Sequence, residues 1–242
     1  MERHEYVRLA AAEERMWWFQ GLHANLLAAL AEAPAPPRRL LDAGCGTGGL
    51  LARLAASLPE AALAGLELDA GAVALARGKG RFLLAVGSVD LPPFAAESFD
   101  AVISADVLCH RGVDEARALA GFRRCLRPGG LLVLNLPAYR WLYSAHDAAV
   151  DNARRYARGE LRRRLAEAGF ARIRARYWNS ILLPLMVLRR KLWRRAGASE
   201  VELLPAPVER AFGAVMALER RLLRAGLSPP FGGSILATAV KP

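Results

Sequence analysis

Cysteine and lysine are both scarce in this chain of 242 residues, with three of each. Cys45, Cys109 and Cys125 are too few for a disulfide framework and show no metal-ligand spacing. A stapled secreted scaffold and a thiolate zinc site are therefore excluded; the expectation is reduced thiols, no metal and a cytoplasmic location. Aromatic residues make up 7%. No apolar run approaches the ~20 residues that a membrane span requires. Met1–Arg15 is charged throughout, which predicts no signal peptide. The length suits one large α/β domain with elaborations.

With lysine nearly absent, arginine carries the positive charge, and the formal balance is +11. The excess is confined to one segment. Residues 154–195 hold fourteen basic side chains against Glu160 and Glu167, while the rest of the chain is close to neutral. These cations are not interleaved with the aromatic platforms that single strands prefer, so nucleic acid is not expected as a partner.

The most informative stretch is Leu40–Leu51, LLDAGCGTGGLL. Asp42 stands near the end of a buried strand, and Gly44, Gly46, Gly48 and Gly49 turn the chain into a helix starting near Leu50. Glycine lets the backbone approach a ligand closely, and the helix start offers unpaired N–H groups. Gly44, Gly46 and Gly49 satisfy G-x-G-x-x-G, with Glu67 about 20 residues on, as in dinucleotide sites. Asp42, two residues before the first glycine, discriminates. An anion there would repel a pyrophosphate but suits a cofactor with an ammonium and a sulfonium, as in S-adenosylmethionine.

On these residues the chain resembles the class I S-adenosylmethionine-dependent methyltransferases. Ala62–Asp69 looks like the family's second strand, with Glu67 as the ribose-binding acid. Gly87–Phe94, GSVDLPPF, is similar to its G-D-A-x-x-L-P-F segment, with Ser88 in place of the adenine-binding aspartate. Ser98–Ser104 resembles the fourth strand and Leu126–Gly130 the turn before the fifth. The resemblance implies an α/β, Rossmann-like seven-stranded sheet of order 3-2-1-4-5-7-6, strand 7 antiparallel, with helices on both faces. It places the cofactor on Asp42, Gly44, Cys45, Gly46, Gly48, Glu67, Leu68, Ser88, Val89 and Ala105, with S-adenosylhomocysteine as product.

A narrower resemblance, to a bacterial subgroup, rests on Trp17-Trp18-Phe19, Pro137-Ala138-Tyr139, Ser144–Asp147 and Arg154-Arg155-Tyr156. Where that subgroup carries E-H after strand four, this chain has Cys109-His110. Its H-x-R-R-Y stretch is matched by Asn152–Tyr156. His110, just past strand four, is the candidate general base, because a histidine titrates near neutrality; the alternative is a histidine that bonds a loop. Tyr139, His146, Arg154, Arg155 and Tyr156 are the candidate acceptor-binding residues. The two arginines read either as a clamp on a carboxylate or phosphate, or as a loop brace in which Asp147 pairs with one of them. Cys109 reads as a small half-buried thiol rather than a nucleophile.

Four segments follow: a helical lid over 1–37, a cofactor-binding core over 38–179, a helical hairpin over 180–230 and a final strand over 231–242. The hairpin comprises Leu182–Arg195 and Val208–Ala225. Its first helix, apolar and then rich in arginine with Trp193, has the composition of a membrane-surface helix. The competing reading packs Leu182, Leu185, Met186, Leu188 and Leu192 on Phe212, Val215, Met216, Leu218 and Leu222, within one chain or across a homodimer. The leading expectation is methyl transfer to a small-molecule or lipid-like acceptor, either in the cytoplasm or at the inner membrane face. The alternatives are a non-catalytic cofactor-binding partner subunit and a nicotinamide-dependent oxidoreductase.

Overall fold

The computed structural model describes residues 10, 12–13, 15–192 and 203–242. Its centre is a seven-stranded sheet in the order β3-β2-β1-β4-β5-β7-β6. In chain order the strands are β1 (Arg39–Ala43), β2 (Ala62–Glu67), β3 (Leu83–Val86), β4 (Phe99–Ala105), β5 (Leu126–Pro137), β6 (Ala171–Trp178) and β7 (Ser234–Val240). β1 to β5 pair in parallel, and β7 runs antiparallel between β5 and β6. The expected sheet is therefore the observed one, antiparallel β7 included.

Central parallel strands are covered on both faces, so their side chains alternate between two apolar cores rather than between core and water. Leu41, Val102, Leu132 and Leu134 point into one core, closed by α4 (Glu115–Cys125) and α6 (Arg158–Glu167). Leu40, Ala101, Ile103 and Val133 point into the other. It is closed by α1 (Trp17–Leu30), α2 (Gly49–Ser57) and the buried side chain of Met216. Leu22, Leu26 and Leu30 of α1 are at most 4% exposed, so this leading helix is an integral wall of the second core. Burying each such side chain contributes about 1.5–3 kcal/mol. α3 (Ala70–Arg77) follows β2 and is capped by the Asp69 carboxylate, which accepts from the Ala72 N–H at 3.0 Å.

The hairpin between β6 and β7 is formed by α7 (Leu183–Leu192) and α8 (Ala206–Arg224); Arg189, Arg190, Lys191, Trp193, Arg194 and Arg195 carry side chains outside the described region. α8 packs on α1 rather than wholly on α7. Phe212 meets Trp17 edge-on at 5.4 Å, and Met216 lies against Gly21. Leu185, Leu188, Leu218 and Leu222 remain exposed, at 38–52%. Within the single chain, those four leucines are therefore not buried between α7 and α8. The physical reason is that α1 already offers an apolar stripe in the second core. Among the described residues, no helix is long and apolar enough to cross a membrane.

Candidate cofactor and acceptor site

The C-terminal ends of β1, β2, β4 and β5 converge where the sheet order reverses between β1 and β4, the place where open α/β sheets bind ligands. After β1 the chain takes left-handed conformations at Gly44, Gly46 and Gly48, with φ of +87°, +52° and +83°. At Gly44 the requirement is double. A Cβ there would strike Val107 Cγ2 at 2.2 Å, and L side chains rarely adopt that φ. The turn is pinned to β2, because Leu66 O accepts from the N–H groups of Gly44 (2.7 Å) and Cys45 (3.0 Å). Cys45 is buried, its thiol pushed up by burial, and it contributes backbone to the turn rather than chemistry.

Three carboxylates surround this turn. Asp42 is 2% exposed, and among the described residues its Oδ2 has no hydrogen-bond partner. Burial first, then Glu13 and Glu67, push its carboxyl up to about 8. A buried acceptor lacking any donor is costly unless a ligand supplies one. It fits a cofactor that brings an ammonium. Glu67 accepts from Gly46 N–H (3.0 Å), Leu68 N–H (2.8 Å) and Asp69 N–H (3.1 Å). Those three bonds fix its orientation and leave about one of a carboxylate's roughly four lone-pair sites.

Glu13 is a residue that the sequence reading missed. Its carboxylate accepts from Thr47 Oγ1 at 2.6 Å and from Lys79 Nζ at 3.2 Å. Gly49 leaves room for it, since a Cβ there would come within 2.4 Å of Glu13 Oε2. No local pattern around Glu13 distinguishes it from its charged neighbours; only the fold brings it to the start of α2.

On the adenine side, Ser88 Oγ accepts from Asp90 N–H at 3.1 Å and closes a turn, while the Val89 side chain is buried in the core. Leu68, 71% exposed, stands beside Glu67. Ala105 ends β4 next to Asp106.

The loops after β4 (106–113) and after β5 (138–157) are joined. His110 and Asn152 form a β-bridge, Cys109 O accepts from Ala153 N–H (2.8 Å), and Asp151 O accepts from Arg111 N–H (3.0 Å). The Cys109 thiol is fully buried and donates to Asn152 Oδ1 at 3.1 Å. Arg154 donates to Leu108 O (2.8 Å), His110 O (3.1 Å) and Val113 O (2.8 Å). Arg155, 5% exposed, forms a fork on Asp147, with Nε to Oδ1 at 2.8 Å and Nη2 to Oδ2 at 3.0 Å. Asp147 in turn caps α5 (Ala145–Ala149) through Ser144 N–H at 2.8 Å. Arg154 thus bonds loop carbonyls and Arg155 the Asp147 carboxylate, the pairing with one arginine that the sequence left open. Tyr156 is 1% exposed and donates to Leu108 O at 3.0 Å, a core position rather than a pocket wall. Tyr139 is half-buried, stacks on Tyr177 at 5.1 Å and has its hydroxyl pushed up to about 12, chiefly by burial. His146 lies half-buried on α5.

Asp106, the first residue after β4, is the second missed residue. It is left-handed, with φ of +55°. Asn135 Nδ2 donates to both of its carboxylate oxygens at 3.0 Å, and Asn135 Oδ1 accepts from Trp178 Nε1 at 2.8 Å. Burial raises the Asp106 carboxyl to about 7, against the opposing pull of Asn135 and then Arg155. A signal existed: Asn135 interrupts the apolar run of β5, and a buried amide needs a partner across the sheet.

Comparison with known proteins agrees with this geometry. A methyltransferase-domain family model matches residues 41–134. The chain is 32% identical to the malonyl-[acyl-carrier protein] O-methyltransferase of Methylococcus capsulatus over 62% of its length, and spans 58% of that protein. It is 34% identical to the ubiquinone/menaquinone biosynthesis C-methyltransferase UbiE of Syntrophotalea carbinolica, again over 62% of its length, and spans 76% of that protein. The fold is that of a Thermotoga maritima methyltransferase described as a possible histamine N-methyltransferase. The TM-score is 0.63 at 19% identity, over 99% of this chain and 95% of that one. The carboxylate-ringed glycine turn, the strand order and these relatives lead to one conclusion: the chain belongs to the class I S-adenosylmethionine-dependent methyltransferases.

Proposed function

We propose that the chain moves a methyl group from S-adenosylmethionine to a small-molecule acceptor whose reacting atom must lose a proton. The observation that carries this reading is the buried, unpartnered Oδ2 of Asp42 beside the glycine turn. When bound, the cofactor supplies an electrophilic methyl on a sulfonium. Asp42 holds the ammonium of its methionine part, and Glu67 offers its remaining lone pair to a ribose hydroxyl. Leu68 and the backbone of Ser88 and Val89 flank the adenine. The turn from Gly44 to Gly48, with Cys45, closes beneath, and Ala105 borders the methionine end.

Removal of the acceptor's proton falls to the loop after β4. Asp106, near neutrality and gripped by Asn135, is the base that the geometry favours. His110 is the second reading, because among the described residues its half-buried ring makes no hydrogen bond. Tyr139 and His146 border the acceptor, while Arg154, Arg155 and Tyr156 hold the loops that shape it. The relatives' names include an O-methyltransferase and a C-methyltransferase, and an ionisable hydroxyl or acidic carbon suits a base near pH 7.

Calorimetry of cofactor binding at pH 7, in two buffers of different ionisation enthalpy, tests the cofactor assignment. With its carboxyl near 8, Asp42 is mostly protonated before binding. An arriving ammonium lowers that pKa, so binding releases close to one proton. Asp42→Asn removes the release and weakens binding at least ten-fold. Undiminished binding by that variant overturns the role given to Asp42.

A further inference from the structure

A groove of about 440 Å³ lies away from the glycine turn, between the start of α1, the outer side of α2 and one face of α8. It exists because small residues line the helix crossing. Gly21 lets Met216 approach to 3.3 Å of where a Cβ would sit, and Gly213 and Ala217 leave the space beside it open. Arg15, Arg53, Arg210 and Arg220 surround that space.

Among the described residues, no carboxylate answers these four guanidinium groups. Among the described residues none of them forms an ion pair, and the one carboxylate in the groove is engaged elsewhere. Glu209 accepts from Trp17 N–H at 2.7 Å and from Leu204 N–H at 2.9 Å, tying α1 to α8. Two groups in and beside the groove are shifted towards their neutral forms. Burial, Arg224 and Arg221 hold Arg220 below the usual arginine range. His23, on α1, is pushed down to about 4 by burial, Arg53 and Lys79, and its Nδ1 is buried without a partner.

We propose that this groove binds a phosphate-bearing anion. Four cations exceed what a single carboxylate can answer, whereas a phosphomonoester or diphosphate carries about two to three negative charges and matches guanidinium forks bidentately. The volume lies within the range of ligand pockets, about 300–1,000 Å³, so it also admits an organic portion. Trp17 and Met216 supply the apolar wall for that portion. The phosphate can belong to a soluble metabolite or to the headgroup of an anionic lipid.

The test uses the full chain at constant ionic strength. Pyrophosphate and sulfate are titrated by calorimetry, alongside sedimentation with phosphatidylcholine vesicles with and without phosphatidic acid. Saturable pyrophosphate binding at one per chain, at least ten-fold tighter than sulfate, identifies a soluble phosphate ligand. Sedimentation only with phosphatidic acid identifies the lipid source. In either case Arg53→Gln, an exposed position, and the pair Arg53→Gln/Arg220→Gln must weaken the response at least ten-fold while cofactor binding stays unchanged. No saturable response in either arm, or a response indifferent to both variants, overturns the proposal.

Discussion

Asn135 Nδ2 stands 3.0 Å from both carboxylate oxygens of Asp106, joining the C-terminal end of β5 to the first residue beyond β4. The same amide accepts from Trp178 Nε1, and the Trp178 ring lies on that of Trp18, 4.9 Å away and 13° from parallel. A helix that precedes the sheet is thus linked, through Trp178 and Asn135, to a carboxyl that burial raises to about 7.

For Asp106 the sign follows from its folded pKa of about 7, raised above the usual carboxylate value. Its base form grows as pH rises through 7, so turnover increases about ten-fold per unit below 7 and levels above it. The contribution to stability runs the other way. It is fully present below the unfolded carboxylate pKa and is lost as pH rises towards 7. Asp106→Asn lowers kcat by about 10²–10⁴ and flattens the profile. Asn135→Leu removes the bond that holds the pKa down and moves the inflection to higher pH. An inflection that disappears in His110→Ala and survives Asp106→Asn assigns the base to His110.

Gly44 and Val107 form a second testable contact. Gly44→Ala adds a Cβ at 2.2 Å from Val107 Cγ2 and forces alanine into a left-handed conformation. Overpacking costs about 1–3 kcal/mol and the backbone about 1–2 kcal/mol. Val107→Ala in the same chain relieves only the first. Thermal unfolding of the double variant therefore recovers part of the lost Tm, and full recovery contradicts the backbone argument.

The Asp147–Arg155 pair separates brace from clamp. Asp147→Ala strands a buried guanidinium and costs about 3–5 kcal/mol in denaturant unfolding. Arg155→Met/Asp147→Leu restores most of that stability, because an apolar pair of similar volume is tolerated there. If Arg155 only braces, the double variant keeps the acceptor KM within about three-fold, against the roughly ten- to hundred-fold rise expected from losing a charged contact to substrate.

The sheet and the cofactor turn were legible because their signals are local. The Leu40-Leu41 run, the glycine spacing and Asp42 act through neighbouring backbone, and all keep their expected places. What stayed illegible depends on distant partners. Glu13 meets Thr47 and Lys79 across 34 and 66 positions, and Asp106 meets Asn135 across 29. The twin arginines at 154 and 155 look alike in sequence, yet one binds carbonyls of the loop after β4 and the other the Asp147 carboxylate. For the hairpin, apolar periodicity marked which side chains seek burial but not that α1 would supply it.

The bridge between His110 and Asn152, with the backbone bonds flanking it, makes the two loops above the sheet one inherited unit. Exchanging a single loop with that of a relative would sever the seam and leave buried N–H groups and the Arg154 guanidinium without their acceptors. A change of acceptor preference, by evolution or by grafting, therefore has to move both loops together.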